Sequence, residues 1–299
     1  MKEKKTVKIL NNKTVKSYYQ QVGKEFWKSR SAKFGLFVFI MVCIMAFACP
    51  LLSPYDPLSL NIRESFASPN RQHLFGTDSY GRDIFSRILY GARVSIRVGL
   101  EVLFLTVLIG TIIGVIAGWY KSIDNILMRT MDGFMAFPAI VLALAIRAAL
   151  GPMEFNLVIA LSVTQIPRIA RIVRSSVLKT REMGFVRSAR AVGASDWRIL
   201  ILHVLPNSLA PLIVQASFTF ATVILVEAGL SFVGVGVPPP SPSWGSIVAE
   251  GRDYIRTAPW ITIFPGTVII IVVLGLNLLG DGLRDILDPK MQGKLGVTL

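Results

Sequence analysis

The sequence predicts an all-α, polytopic membrane protein with six transmembrane helices and both termini in the cytoplasm, and three observations carry that expectation. Of the 299 residues, 53% are hydrophobic and only 17% are charged, respectively above and below the usual globular levels. Apolar runs recur at the roughly 20-residue length that a helix rising 1.5 Å per residue needs to cross about 30 Å of hydrocarbon. Lysine and arginine are divided unevenly among the loops between those runs, which is the asymmetry that orients a chain in a membrane.

The spans are expected at 34–52 (FGLFVFIMVCIMAFACPLL), 94–118, 134–150, 155–173, 209–234 and 261–280. The first follows a basic leader of 33 residues and is too extended for a signal peptide, so it reads as an uncleaved anchor. Its "AFAC" is not read as a lipidation site, because bulky Phe47 stands where a small residue is wanted. Cys43 and Cys49 share this one span, which suggests neither a disulfide nor a metal site. Ahead of the second span, "GRDIFSRILYGAR" places Ile84, Phe85, Ile88 and Leu89 on one face and Arg82, Ser86 and Arg87 elsewhere. That pattern fits an amphipathic helix lying in the interface before the span begins. Arg168 and Arg171 enter the last turn of the fourth.

With the N-terminus inside, 23 of the 32 Lys and Arg residues fall on the cytoplasmic side and seven on the opposite side, while Arg97 and Arg147 lie within spans. The net charge of +14 therefore speaks to topology and not to nucleic acid. The expected organisation is a basic cytoplasmic leader, 1–33; a transmembrane domain, 34–280; and a cytoplasmic tail, 281–299. Lysines of the leader either touch anionic lipid headgroups or form a solvated tail. Within the domain lie an external loop at 53–93, rich in Pro, Ser, Asn and Asp, a cytoplasmic loop at 174–208, and an external loop at 235–260 that includes the stiff "PPPSP" of 238–242.

The 174–208 segment is the longest interior loop expected. Gly184 and Gly193 punctuate it, and "FVRSARAV" and "SDWRILILHVL" read as two short helices around a glycine bend. Ser195 or Asp196 is placed to cap the second helix, and Pro206 discourages its continuation. Ser188, Ala189, Ala191, Gly193 and Ala194 leave a low profile on which a partner's surface can sit, and Trp197 offers a large anchor. A connector resting on the membrane explains Ile199, Leu200, Ile201 and Leu202 equally well.

Charges within spans mark a site or a helix-to-helix tie, because they normally face a bundle interior or water. Glu227 is followed one turn later by Ser231, and this pair either lines a pathway or holds helices together by hydrogen bonding. Glu101 pairs by spacing with Arg97. Arg147, one turn before Gly151, either snorkels to water or receives a carboxylate in a bidentate pair. No G-x-x-x-x-G-K-[ST] string occurs, so the chain is not expected to bind ATP. His73 and His203 are the two histidines, and no metal or catalytic constellation surrounds them. They read as interfacial and loop residues, and the chain as no enzyme.

"ARAVGASDWRILILHVLP" resembles the EAA signature of bacterial ABC import permeases, in which small residues precede a Gly and a Leu-Pro follows at fixed distance. Gly193, Leu205 and Pro206 keep that spacing. Arg187 replaces the usual Glu, Ser188 the first Ala, and His203 an aliphatic residue. The likeness is to a narrower family, the C-type permeases of dipeptide, oligopeptide and nickel importers. It extends through "HLFGTDSYGRDIFSRILYGARVS" at 73–95, "MRTMDGFMAFP" at 128–138, "EAGLSFVGVGVPPPSPSWGSIVAEG" at 227–251 and "PGTVIIIVVLGLNLLGDGLRDILDPK" at 265–290.

The resemblance implies a type I ABC importer permease in a bacterial inner membrane. It implies as partners a homologous B-type permease subunit, two ATP-binding subunits that carry magnesium-ATP, and an external substrate-binding protein; this chain would hold no cofactor. Loop 53–93 and the 238–256 turn would face the binding protein. The segment 184–205 would be the coupling helix, with Ser188, Ala189, Ala191, Gly193, Ala194, Ser195, Asp196, Trp197, Leu205 and Pro206 docked on an ATPase. Arg147, Glu227 and Ser231 remain the candidates for the wall of the translocation path, with a helix-to-helix tie at Glu227 and snorkelling at Arg147 as the alternatives. Short peptides are the expected substrate, with nickel or a metal chelate as the alternative. A self-sufficient secondary transporter is the rival of another class, but the inverted halves or chain of intramembrane acids expected of one are not visible.

Overall fold

The computed structural model describes residues 23–287, so most of the basic leader and most of the tail lie outside the described residues. Helix α1 spans Arg30–Leu52 and is capped by Ser29, whose hydroxyl accepts from Ala32 N at 3.2 Å. Val38, Val42, Ala46 and Cys49 form its buried stripe, while Phe47 and Leu51 are 85% and 89% exposed. A large apolar surface left uncovered on a long apolar helix is what a lipid environment requires.

Helix α2 spans Ile84–Trp119. Its 36 residues, about 54 Å at the helical rise, join the sequence-predicted interfacial helix and the second span into one unbroken rod. The reason is visible at its start. Asp83 caps it by accepting from Ser86 N at 2.7 Å, and Arg87 is no surface residue but is 1% exposed, bonded to Asp78 and to Glu250. Arg87 donates to Glu250 at 2.6 and 2.8 Å, and Arg82 reaches the same carboxylate at 2.6 Å. This network leaves the helix no water-facing side on which to rest in an interface. His73 is likewise buried, not interfacial, with Nδ1 2.8 Å from Asp83 and Nε2 3.3 Å from Glu64.

The third crossing differs most from expectation. Helix α3 spans Lys121–Met135 and α4 spans Ala139–Leu150, bent at 95° to one another, in place of one helix over 134–150. Pro138 sits at the break, and a proline disfavours helical geometry in the residue before it. Helix α5 spans Glu154–Arg181 and holds α3 through Arg174 to Asp124, at 2.5 and 2.6 Å, and Arg171 to Asp132, at 2.6 Å. The chain continues through α6 (Gly184–Ala191), α7 (Asp196–Ile199), a π-helical turn (Leu200–Val204), α8 (Leu205–Phe232), α9 (Trp244–Gly251) and α10 (Trp260–Leu287). Among the described residues, five helices are long and apolar enough to cross a membrane, or six crossings if α3 and α4 count as one. No strand forms among the described residues; one antiparallel bridge joins Thr77 to Asp83.

Packing follows small residues. Gly110, Gly114 and Gly118 recur every fourth residue along α2, and a Cβ at Gly114 would stand 2.5 Å from the Ala170 carbonyl oxygen of α5. Gly35 of α1 and Gly275 of α10 permit a similar approach, since a Cβ on Gly35 would meet Gly275 O at 2.5 Å. Lipid tails are as apolar as Leu, so close backbone packing of this kind holds membrane helices together. Helix α8 lies between these pairs, with Phe220 edge-on to Phe39 at 6.4 Å.

Candidate coupling site

Between α5 and α8 the chain leaves the bundle and returns. Helix α6 ends on a turn in which Gly193 N–H reaches Arg190 O at 3.0 Å and Ala194 N–H reaches Ala189 O at 3.1 Å. Gly193 closes that turn at φ +81°, a left-handed conformation natural to glycine. A Cβ there would meet nothing within 4 Å, so backbone geometry and not crowding in this chain calls for the glycine. Ser195 occupies the N-cap position of α7, but neither its side chain nor Asp196 supplies the expected cap bond; Asp196 instead lies 3.8 Å from Arg190.

Pro206 does not end the second helix. Asp196–Phe232 runs as one 37-residue rod, because the π-helical turn shifts the register: Leu205 N–H bonds to Leu200 O, five residues back. The wider turn makes room for a proline that has no N–H to offer and whose ring would otherwise meet the preceding turn. The short helix is therefore a rigid extension of a transmembrane one.

Burial divides the segment into a seat and a face. Val186, Ile199, Leu200 and Val204 are buried with Trp119 of α2 and Ile169, Val173 and Val177 of α5. Arg190 stacks over the Trp119 ring at 5.2 Å, and Arg181 donates to the last carbonyls of α2, Gly118 and Trp119, at 3.1 and 3.0 Å. Arg187 donates to Glu182 at 3.0 Å, and this bond holds the Glu182 carboxyl below the usual range. Outward stand Ser188, Ala191, Gly193, Ser195 and Asp196, with Val192 84% and Trp197 73% exposed. Ala189, Ala194 and Leu205 are half-buried, and Pro206 is exposed. Of the four aliphatic residues in the sequence run, Ile199 and Leu200 seat the segment against α2 and α5 while Ile201 and Leu202 are exposed, and most of the small residues face away with Trp197.

Among the polar residues within spans, Glu227 keeps the Ser231 partner that the spacing suggests and gains Ser243, whereas Arg97 does not keep Glu101. Glu227 is 2% exposed and accepts from Ser231 Oγ at 2.7 Å and Ser243 Oγ at 2.9 Å. Ser243 in turn caps α9, whose Trp244 is fully buried and donates from Nε1 to Ile88 O at 3.1 Å. Arg147 is 3% exposed, so it does not snorkel to water. Its guanidinium is spent on the carbonyls of Gly151, Pro152, Met153, Val235 and Gly236. Arg97 pairs with Glu154 and not with Glu101, which is exposed.

A cleft of about 640 Å³ opens between α5, α8 and α10, at the end of the bundle where residues 184–205 sit. Sequence reasoning missed it. Its signal was the polar residues Ser175, Ser176, Asn207 and Gln215 set into otherwise apolar helices.

Residues 110–293 match the model of the binding-protein-dependent transport system inner membrane component family. The chain belongs to that family. Residues 17–69 match the N-terminal transmembrane domain of oligopeptide transport permease C, so the permease is of the C type. It is 51% identical over 269 residues to a putative peptide transport system permease protein of Brucella suis, covering 90% of this chain and 91% of that one. It is 44% identical over 280 residues to the dipeptide transport system permease protein DppC of Alkalihalophilus pseudofirmus, covering 93% and 92%. With the glutathione transport system permease protein GsiD of Pectobacterium atrosepticum the identity is 40% over 290 residues, 96% of each chain. Among solved structures, a chain of the inward-facing MetNI methionine ABC transporter superposes with a TM-score of 0.52 at 19% identity, covering 68% of this chain and 94% of that one. That likeness shows a shared fold. The permease is thus a multi-pass inner membrane protein, the membrane component of a binding-protein-dependent transport system.

Proposed function

We propose that the permease forms one half of the translocation pathway of an ATP-driven importer of short peptides, paired with a homologous B-type subunit and served by two ATPases and an external binding protein. The ATPases carry magnesium-ATP and this chain carries no cofactor. Both termini and the coupling segment lie in the cytoplasm, in line with the 23 basic residues assigned to that side. Peptide is favoured over nickel because relatives at 40–51% identity are named for peptide, dipeptide and glutathione transport.

The observation that carries the reading is the division of 184–205 into a buried seat and an outward face of small residues around Trp197, continuous with α8. Coupling needs a lever and not a reactive group. An ATPase groove that grips Ala191, Gly193 and Trp197 moves α8 as a rod, and packed helices turn such a push into rigid-body rocking between inward-open and outward-open states. The test is Gly193→Asp in the reconstituted complex: the chain inserts and folds, whereas uptake and substrate-stimulated ATP hydrolysis are lost. Normal uptake by that complex would refute the assignment.

A further inference from the structure

The cleft between α5, α8 and α10 belongs neither to the docking face nor to the buried polar ties. Its volume of about 640 Å³ lies in the range of small-ligand sites. Phe218 contributes to an apolar wall, Thr180, Asn207 and Gln215 supply hydroxyl and amide groups, and Lys179 and Arg284 are both exposed cations. No Asp or Glu lines it among the described residues. An ammonium and a guanidinium without an intervening carboxylate make a site for an anion, and the remaining walls suit peptide amides and side chains.

Resting on the transport reading, we propose that this cleft is a release site that holds the C-terminal carboxylate of a short peptide between Lys179 and Arg284 on the cytoplasmic side. Its position gives occupancy a consequence. Thr180 lies in the last turn of α5, just before the coupling segment, and Asn207 lies in the first turn of α8, just after it. A peptide bound there ties together the two helices that must move when the ATPases close. A ligand that binds one state of a two-state machine holds it in that state. Accumulated cytoplasmic peptide therefore slows ATP hydrolysis.

The experiment uses the complete complex in nanodiscs without the external binding protein, and reads basal ATP hydrolysis against trialanine, N-acetyl-trialanine and trialanine amide. The two free acids inhibit and the amide does not. Lys179→Gln and Arg284→Gln each raise the half-inhibitory concentration by roughly tenfold, the effect of losing one charge-assisted hydrogen bond, while binding-protein-stimulated hydrolysis shows that the variants assemble. Equal inhibition by acid and amide, or variants that respond like the unaltered complex, would overturn the proposal. Should a variant fail to assemble, the acid-versus-amide comparison on the unaltered complex decides alone. Failure of the unaltered complex to take up any peptide would defeat the transport reading itself; uptake without carboxylate dependence in this assay defeats only the release site.

Discussion

Ser243 donates a hydrogen bond to Glu227 at 2.9 Å, tying the cap of the short helix α9 to the interior of α8. The same carboxylate oxygen accepts from Ser231 at 2.7 Å, so one acidic side chain satisfies two hydroxyls inside the bundle. Glu227→Ala is expected to lower stability by about 1–2 kcal/mol, the size of hydrogen bonds between membrane helices. Glu227→Gln, which keeps an acceptor oxygen, is expected to recover most of it. Thermal denaturation of the purified complex measures both, and an unchanged midpoint for the alanine variant would contradict the role.

Arg147 acts as a clamp between the α4–α5 turn and the segment after α8, through the carbonyls of Gly151 to Met153 and of Val235 and Gly236. Arg147→Ala leaves those buried acceptors unpaired, at about 1–3 kcal/mol each where water does not replace the donor. Lysine offers a point charge in place of a planar fork, so Arg147→Lys is expected to rescue poorly. Uptake of acidic, neutral and basic peptides should fall together. A loss confined to one charge class would instead make Arg147 a substrate contact.

Gly114 lets α2 and α5 touch. Leucine there must displace the Ala170 carbonyl or the Val173 side chain, which a Cβ would approach to 2.5 and 2.7 Å, and overpacking of this kind costs about 1–3 kcal/mol. Gly114→Leu is expected to reduce assembled complex in the membrane. Gly133→Ala, where a Cβ meets nothing within 4 Å, should leave it unchanged; equal amounts of the two variants on a native gel would count against the glycine stripe as a packing seam.

At Gly193 conformation and docking separate. Alanine pays about 1–2 kcal/mol for the left-handed backbone and leaves the outward face small, so Gly193→Ala should keep most uptake. Asparagine tolerates that conformation better and should fall between alanine and aspartate. A carboxylate buried unpaired in a dock costs more than the about 1.4 kcal/mol that makes a tenfold difference, so Gly193→Asp should lose at least that factor. Identical uptake by the alanine and aspartate variants would place no partner at this face.

What the sequence made legible was what period and charge encode. Five long helices and the glycine bend at Gly193 follow from apolar runs and from one residue that accepts φ +81°. What it hid was set by partners distant in the chain. Arg87 looks like a surface residue until Asp78 and Glu250 are brought to it, and Arg97 finds Glu154 and not the neighbouring Glu101. The proline at 206 misled because local chemistry marks a helix stop, whereas the π-helical turn before it absorbs the defect. The spacing of Gly110, Gly114 and Gly118 was there to be read as a packing seam. Its meaning becomes plain only against Ile169, Val173 and Val177 of α5.

The central claim, that the face around Trp197 grips an ATPase in the cytoplasm, is tested most directly by a single cysteine. In a background with Cys43 and Cys49 replaced, Trp197→Cys is treated with a short bifunctional maleimide in the assembled complex, and separately with an impermeant thiol reagent on intact cells. The account predicts a crosslink to an ATP-binding subunit and protection from the external reagent. Labelling from outside the cell, or a crosslink to the external binding protein, would contradict it.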